Sequence, residues 1–123
     1  MCASLSLKWQ VEFIPDSDKN YRRVHSSYFR ENQLTAGAFS HTNGSMSTDW
    51  SKYSTPKDSL NRAKFPLKNG VVSLVTADLR SINLQVIHAP SQENQAHTNV
   101  FKVDEEVRLK LLDMFTWEIV FSE

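Results

Sequence analysis

A chain of 123 residues, 40% hydrophobic and 23% charged, with only three glycines and four prolines, is long enough for one domain with its own core and is not a low-complexity or disordered chain. Lys+Arg and Asp+Glu both number 14, so the formal net charge is zero and no whole-surface attraction to nucleic acid or an anionic membrane is expected. One cysteine, Cys2, excludes an intrachain disulfide and a cysteine metal cluster, no apolar run approaches the roughly 20 residues of a membrane span, and the N-terminus lacks the pattern of a signal peptide, so a cytoplasmic setting is expected.

In chain order, Leu5, Leu7, Trp9, Val11 and Phe13 alternate with polar residues, the period of a strand with one buried face. That period places Trp9 on the inner face with Leu7 and Val11. Pro15 to Asp18 end the strand with turn chemistry. Tyr21–Phe29, YRRVHSSYF, has no clean period and reads as an irregular or helical turn, leading to a small apolar segment, Leu34–Phe39. His41–Ser47 reads as a loop around the turn dipeptide Asn43-Gly44. Thr55-Pro56-Lys57-Asp58 is a helix start, with Thr55 as N-cap and Pro56 in the first helical position; a short helix runs through Ala63 and Pro66 ends it.

Val71–Thr76 is a β-branched run with the look of a buried strand. Ala77–Ile82 is a single helical turn or a wide connection. Leu84 and Val86 alternate with Gln85 and Ile87 in a strand that delivers His88 at its end, and Thr98–Val103 follows as another. Asp104 caps a helix expected to reach roughly Phe115, with Val107, Leu111, Met114 and Phe115 on one face. Trp117–Phe121 returns as a strand. The order predicts a single α+β domain over the whole chain: a mixed or antiparallel sheet with one long C-terminal helix and one or two short helices.

The densest collection of chemically useful groups is the Leu84–Val100 stretch, where His88, Asn94 and His97 flank a polar loop. Two histidines facing one another supply a base and an acid near neutral pH, the requirement for metal-independent, RNase-like phosphodiester cleavage, with Arg22 or Arg23 to stabilise developing charge. Ser47, Asp49, Trp50 and Asn94 are further candidates for binding a substrate or partner. Two other functions stay open. Arg22, Arg23, Tyr28 and Trp50 suit a protein-interaction surface without enzymatic activity. An ADP-ribosyltransferase-like enzyme would bind a nicotinamide dinucleotide beside Arg22 and Ser47. GxGxxG and GxxxxGK[ST] phosphate loops are absent, as are HExxH and paired cysteines, so no cofactor and no metal are expected, although His88 and His97 with Glu93 or Asp49 would make a possible ligand set. RNA or another protein is the expected partner, and no membrane is.

The blocks Arg22-Arg23-Val24, Met46-Ser47-Thr48-Asp49-Trp50 and His88…Asn94…Ala96-His97 together resemble a family of small, functionally uncharacterised bacterial proteins. The resemblance implies a bacterial origin and a single cytoplasmic domain, and it implies no mechanism. From sequence alone the expectation that organises the rest is convergence: Arg22 or Arg23, the Ser47–Trp50 block, His88, Asn94 and His97 on one concave surface.

Overall fold

The computed structural model describes residues 9–40 and 44–121. Eight strands are formed: β1 (Lys19–His25), β2 (Phe29–Arg30), β3 (Gln33–Leu34), β4 (Ser45–Trp50), β5 (Asn69–Val75), β6 (Gln85–His88), β7 (His97–Phe101) and β8 (Thr116–Ile119). Three short helices accompany them: α1 (Pro56–Asn61), α2 (Thr76–Ser81) and α3 (Glu105–Leu111). Six strands make one sheet in the order β6-β7-β4-β1-β5-β8, every neighbouring pair antiparallel, while β2 and β3 form a separate small hairpin.

The strand at the middle of this sheet, β1, lies where the sequence suggested an irregular turn. Its residues KNYRRVH carry no apolar alternation, and Asn20, Arg22 and Arg23 find hydrogen-bond partners in distant parts of the chain. Asn20 is fully buried and donates from Nδ2 to Thr76 Oγ1 (2.7 Å) and to the Leu74 carbonyl (3.4 Å). β4 likewise occupies what read as a loop and its sequel. Residues on one face of these strands, Val24, Met46, Trp50, Val72, Val86 and Val100, build the main core, against which Leu79 of α2 and Val107 and Leu111 of α3 pack. Arg23 alternates with Val24 and so lies on the opposite face, where its Nη1 donates to the Ser59 carbonyl of α1 (3.0 Å). Helices therefore cover both faces, and α1, between β4 and β5, straddles β1.

The two cap signals act as expected. Thr55 Oγ1 accepts from the Asp58 N–H (3.1 Å), and Asp104 Oδ1 from the Val107 N–H (2.9 Å). The long C-terminal helix does not form. α3 spans seven residues, and the chain beyond Leu111 leaves helical geometry in turns that bond Asp113, Met114 and Phe115 back to Lys110 and Leu111. The reason is packing. The turn sends Phe115 against Phe39 (ring centroids 6.1 Å apart) and Trp117 against Phe29 (6.0 Å), contacts that take these rings out of a continued helix.

The N-terminal alternation is also overturned where it can be seen. Leu5 and Leu7 lie outside the described residues, residues 9–14 are not in a strand, Val11 and Phe13 are 59% and 78% exposed, and Trp9 is half-buried. Ile14, at an odd place in the pattern, is the residue that reaches the core. Gly70 marks the tightest backbone approach in the sheet: a Cβ there would sit 2.7 Å from the Ile119 carbonyl, beside the irregularity between Val71 and Val72 in the β5–β8 pairing. Among the described residues no helix is long and apolar enough to cross a membrane.

Candidate functional site

β1 and β4 pair only through Asn20↔Trp50 and Tyr21↔Asp49, and then separate. The Arg22 guanidinium fills the gap. Its Nε donates to the Ala38 carbonyl (3.2 Å), Nη1 to Ser47 (2.9 Å) and Nη2 to Ser40 (2.8 Å), three planar bonds that replace the missing strand ladder. Burial pushes its pKa down to about 10, with Arg23 next door adding to the effect, so it stays charged at neutral pH.

Above this splay lies a small cleft of about 70 Å³ whose lining includes Arg22, Arg23, Ser47, Asp49, Asn94 and His97, joined by Tyr21 and Thr48. Register explains the gathering. Ser47 and Asp49 project from the same face of β4, and Asp49 pairs with His97 across to β7. Asn94 comes from the β6–β7 loop. Its Nδ2 donates to Asp49 Oδ1 (2.8 Å), and its Oδ1 accepts from the Ala96 N–H (3.0 Å), clamping that loop over the strand.

Asp49 is 4% exposed and serves as the electrostatic anchor. Its Oδ2 accepts from Arg62 Nη1 (3.1 Å) and lies 3.6 Å from Arg23 Nη1. Arg62 Nη1 is shared with Ser54 Oγ (2.9 Å), which in turn bonds Ser59 Oγ (2.8 Å). One buried carboxylate thus serves two partly exposed guanidiniums and an amide. Thr48 Oγ1, buried at the cleft, has no hydrogen-bond partner among the described residues.

His97 is the reactive-looking group. Its Nδ1 lies 2.9 Å from the Ala89 carbonyl. A carbonyl only accepts, so Nδ1 carries a proton, and in the neutral ring Nε2 presents a lone pair. That lone pair faces Ser47 Oγ at 3.3 Å, and Ser47 is exposed. A hydroxyl, an imidazole and a group that orients the imidazole stand in line, the arrangement by which a serine is activated as a nucleophile.

His88 and Trp50 do not reach the cleft. The His88 ring is 1% exposed and both nitrogens are engaged: Nδ1 accepts from the Glu12 N–H (2.9 Å), and Nε2 donates to the Gln95 carbonyl (2.7 Å). It stacks on Tyr53 (centroids 6.0 Å, 24° between planes) and meets Trp50 edge-on (5.0 Å, 69°). The two histidines therefore do not form an acid–base pair, because the packing that orders the loop consumes one of them. Trp50 is 1% exposed, with its Nε1 donating to Asp18 Oδ2 (2.8 Å), and is not available as a contact surface. Glu93 is exposed, and among the described residues no three His, Cys, Asp or Glu side chains come together to hold a metal ion.

Sequence reasoning missed Tyr21 and Arg62, while Thr48 came in with the Ser47–Trp50 block. Tyr21 adjoins residues already singled out, and recognising β1 and β4 as paired strands would have supplied it. Arg62 carries no local signal, since it meets Asp49 only after α1 has crossed the sheet. No family model, no curated protein and no solved structure matches this chain.

Proposed function

We propose that this protein is a metal-independent, RNase-like phosphodiesterase that works at the Ser47–His97 cleft with one histidine in place of a pair. The observation that carries this is the line from the Ala89 carbonyl through the His97 ring to Ser47 Oγ, at 2.9 and 3.3 Å. Ser47 Oγ attacks phosphorus and its proton passes to His97 Nε2. The ester oxygen leaves from the opposite side and takes its proton from a water there. The resulting hydroxide attacks phosphorus from that side, and His97 Nε2 returns its proton to Ser47 Oγ as it departs. Ala89 holds the tautomer that makes both steps possible.

Charge favours an anionic electrophile. Arg22 and Arg23 both line the cleft, while its one carboxylate, Asp49, is already engaged by Arg62. Arg23 Nη1 bonds Ser59, which leaves its other N–H groups for a phosphoryl oxygen. Arg22 acts one step back, holding the Ser47 carbonyl and hence the nucleophile's strand. Size favours a single phosphoryl group: about 70 Å³ is far below the few hundred needed to enclose a nucleotide, so a nicotinamide dinucleotide finds no enclosing site here.

The test is cleavage of labelled RNA and DNA oligonucleotides, and of bis(p-nitrophenyl) phosphate, in EDTA. Wild type is expected to turn over, with Ser47→Ala and His97→Ala each slower by on the order of 1,000-fold and correctly folded by circular dichroism. No cleavage of any of the three substrates, or full activity in Ser47→Ala, rules this mechanism out.

A further inference from the structure

A second cavity lies away from the cleft, between the β2–β3 hairpin and the corner that joins α3 to β8. At about 430 Å³ it is in the size range of sites for small organic ligands. Leu34, Phe29, Phe115 and Trp117 form its apolar wall. The two phenylalanine rings stand nearly perpendicular to the indole, Phe29 at 6.0 Å and 78°, Phe115 at 5.7 Å and 86°. The three rings pack edge to face as one aromatic wall on this side of the cavity.

The polar side of the wall is one-signed. Among the described residues, Asp113 is the only charged one lining the cavity. It is exposed and makes no ion pair among the described residues. Beside it, Asn32 lies in the two-residue turn that closes β2–β3, where Glu31 and Asn32 have φ of 53° and 65°. Asparagine tolerates that left-handed conformation, whereas glutamate does so only at a cost. The hairpin thus holds its turn at the rim despite a residue poorly suited to it.

Aromatic rings attract cations through their negative faces, and a lone carboxylate at the mouth of an apolar site selects the same charge. A fatty acid or a phosphate would meet Asp113 with like charge, and a neutral hydrocarbon would leave the carboxylate unused. We propose that this cavity binds a small organic cation, an alkyl- or arylammonium, with its charged head between Asp113 and the aromatic wall and its apolar part against Leu34 and Phe115. The site is independent of phosphodiester cleavage and stands or falls separately from it.

The experiment is a titration of the full chain with phenyltrimethylammonium, followed by the indole N–H resonance of Trp117, identified through Trp117→Phe. A parallel titration uses tert-butylbenzene, which has the same shape without the charge. Expected are a saturable shift with the cation, affinity for the neutral isostere weaker by about tenfold or more, and a similar loss in Asp113→Asn. Asp113 is exposed, so the substitution leaves the fold intact, and oligonucleotide cleavage by Asp113→Asn serves as the control that should not change. No saturable shift, equal binding of tert-butylbenzene, or undiminished binding by Asp113→Asn overturns the proposal.

Discussion

Replacing His88 by alanine separates a histidine that builds the site from one that reacts in it. The ring makes two hydrogen bonds in a buried setting, to the Glu12 N–H and the Gln95 carbonyl, each worth about 1 kcal/mol net and more if the partner is left unsatisfied. It also fills space between Trp50 and Tyr53, and the void left by truncation adds about 1–2 kcal/mol. The sum is about 3–4 kcal/mol, which for a domain of this length lowers Tm by roughly 10–15 °C. His97, half-buried and bonded to one carbonyl and one exposed hydroxyl, should cost about 1 kcal/mol when truncated. Thermal and urea unfolding of His88→Ala and His97→Ala therefore give opposite rankings from cleavage assays. His88→Ala is unstable yet active at temperatures where it is folded, and His97→Ala is stable yet inactive. A His88→Ala protein that melts within about 3 °C of wild type, or that is folded and inactive, would refute the assignment of the two roles.

Two further outcomes follow from the same network and from the strap formed by residues 9–14, which reaches His88 through the Glu12 N–H. Asp49→Ala should cost about 2–4 kcal/mol, because it strands the Asn94 amide and leaves Arg23 and Arg62 without their shared counter-charge, a loss moderated by their partial exposure to water. Urea denaturation checks it, and a cost below about 1 kcal/mol would mean the carboxylate is not an anchor. At the strap, Glu12 bonds Lys52 Nζ (2.6 Å) and the Tyr53 hydroxyl, and these bonds, Lys52 first, hold its pKa below the usual 4.5, while the Glu12 bond raises Lys52 above 10.5. A depressed carboxylate stabilises the fold above its ordinary pKa and loses that contribution as pH falls through the depressed value, and a raised lysine loses its contribution only as pH climbs through the raised one. The difference in Tm between wild type and Glu12→Gln should be constant at neutral pH and shrink toward zero as the solution is acidified below 4.5; a difference that does not change with pH speaks against the ion pair.

By itself the sequence determined the features set by near neighbours. The Thr55 and Asp104 caps depend on an N–H three residues away, and the β-branched run of β5 carries its own strand preference. The strand ending in His88 declared itself by alternation, and the crowding of His88, Asn94 and His97 around one polar loop marked them as a group worth examining. What only the tertiary structure decided are the outcomes that depend on groups far along the chain. Arg22 can stand in a central strand because carbonyls at 38, 40 and 47 accept its protons, and nothing in YRRVH announces them. The helix after Asp104 stops at Leu111 because Phe115 and Trp117 find Phe39 and Phe29. His88 and His97, alike in sequence, part company for the same reason: the backbone of Glu12, 76 residues upstream, closes over one ring, while the other is left with its free nitrogen facing Ser47. Periodicity reports which side of an element is apolar, but burial of a polar group is settled by whoever arrives to satisfy it.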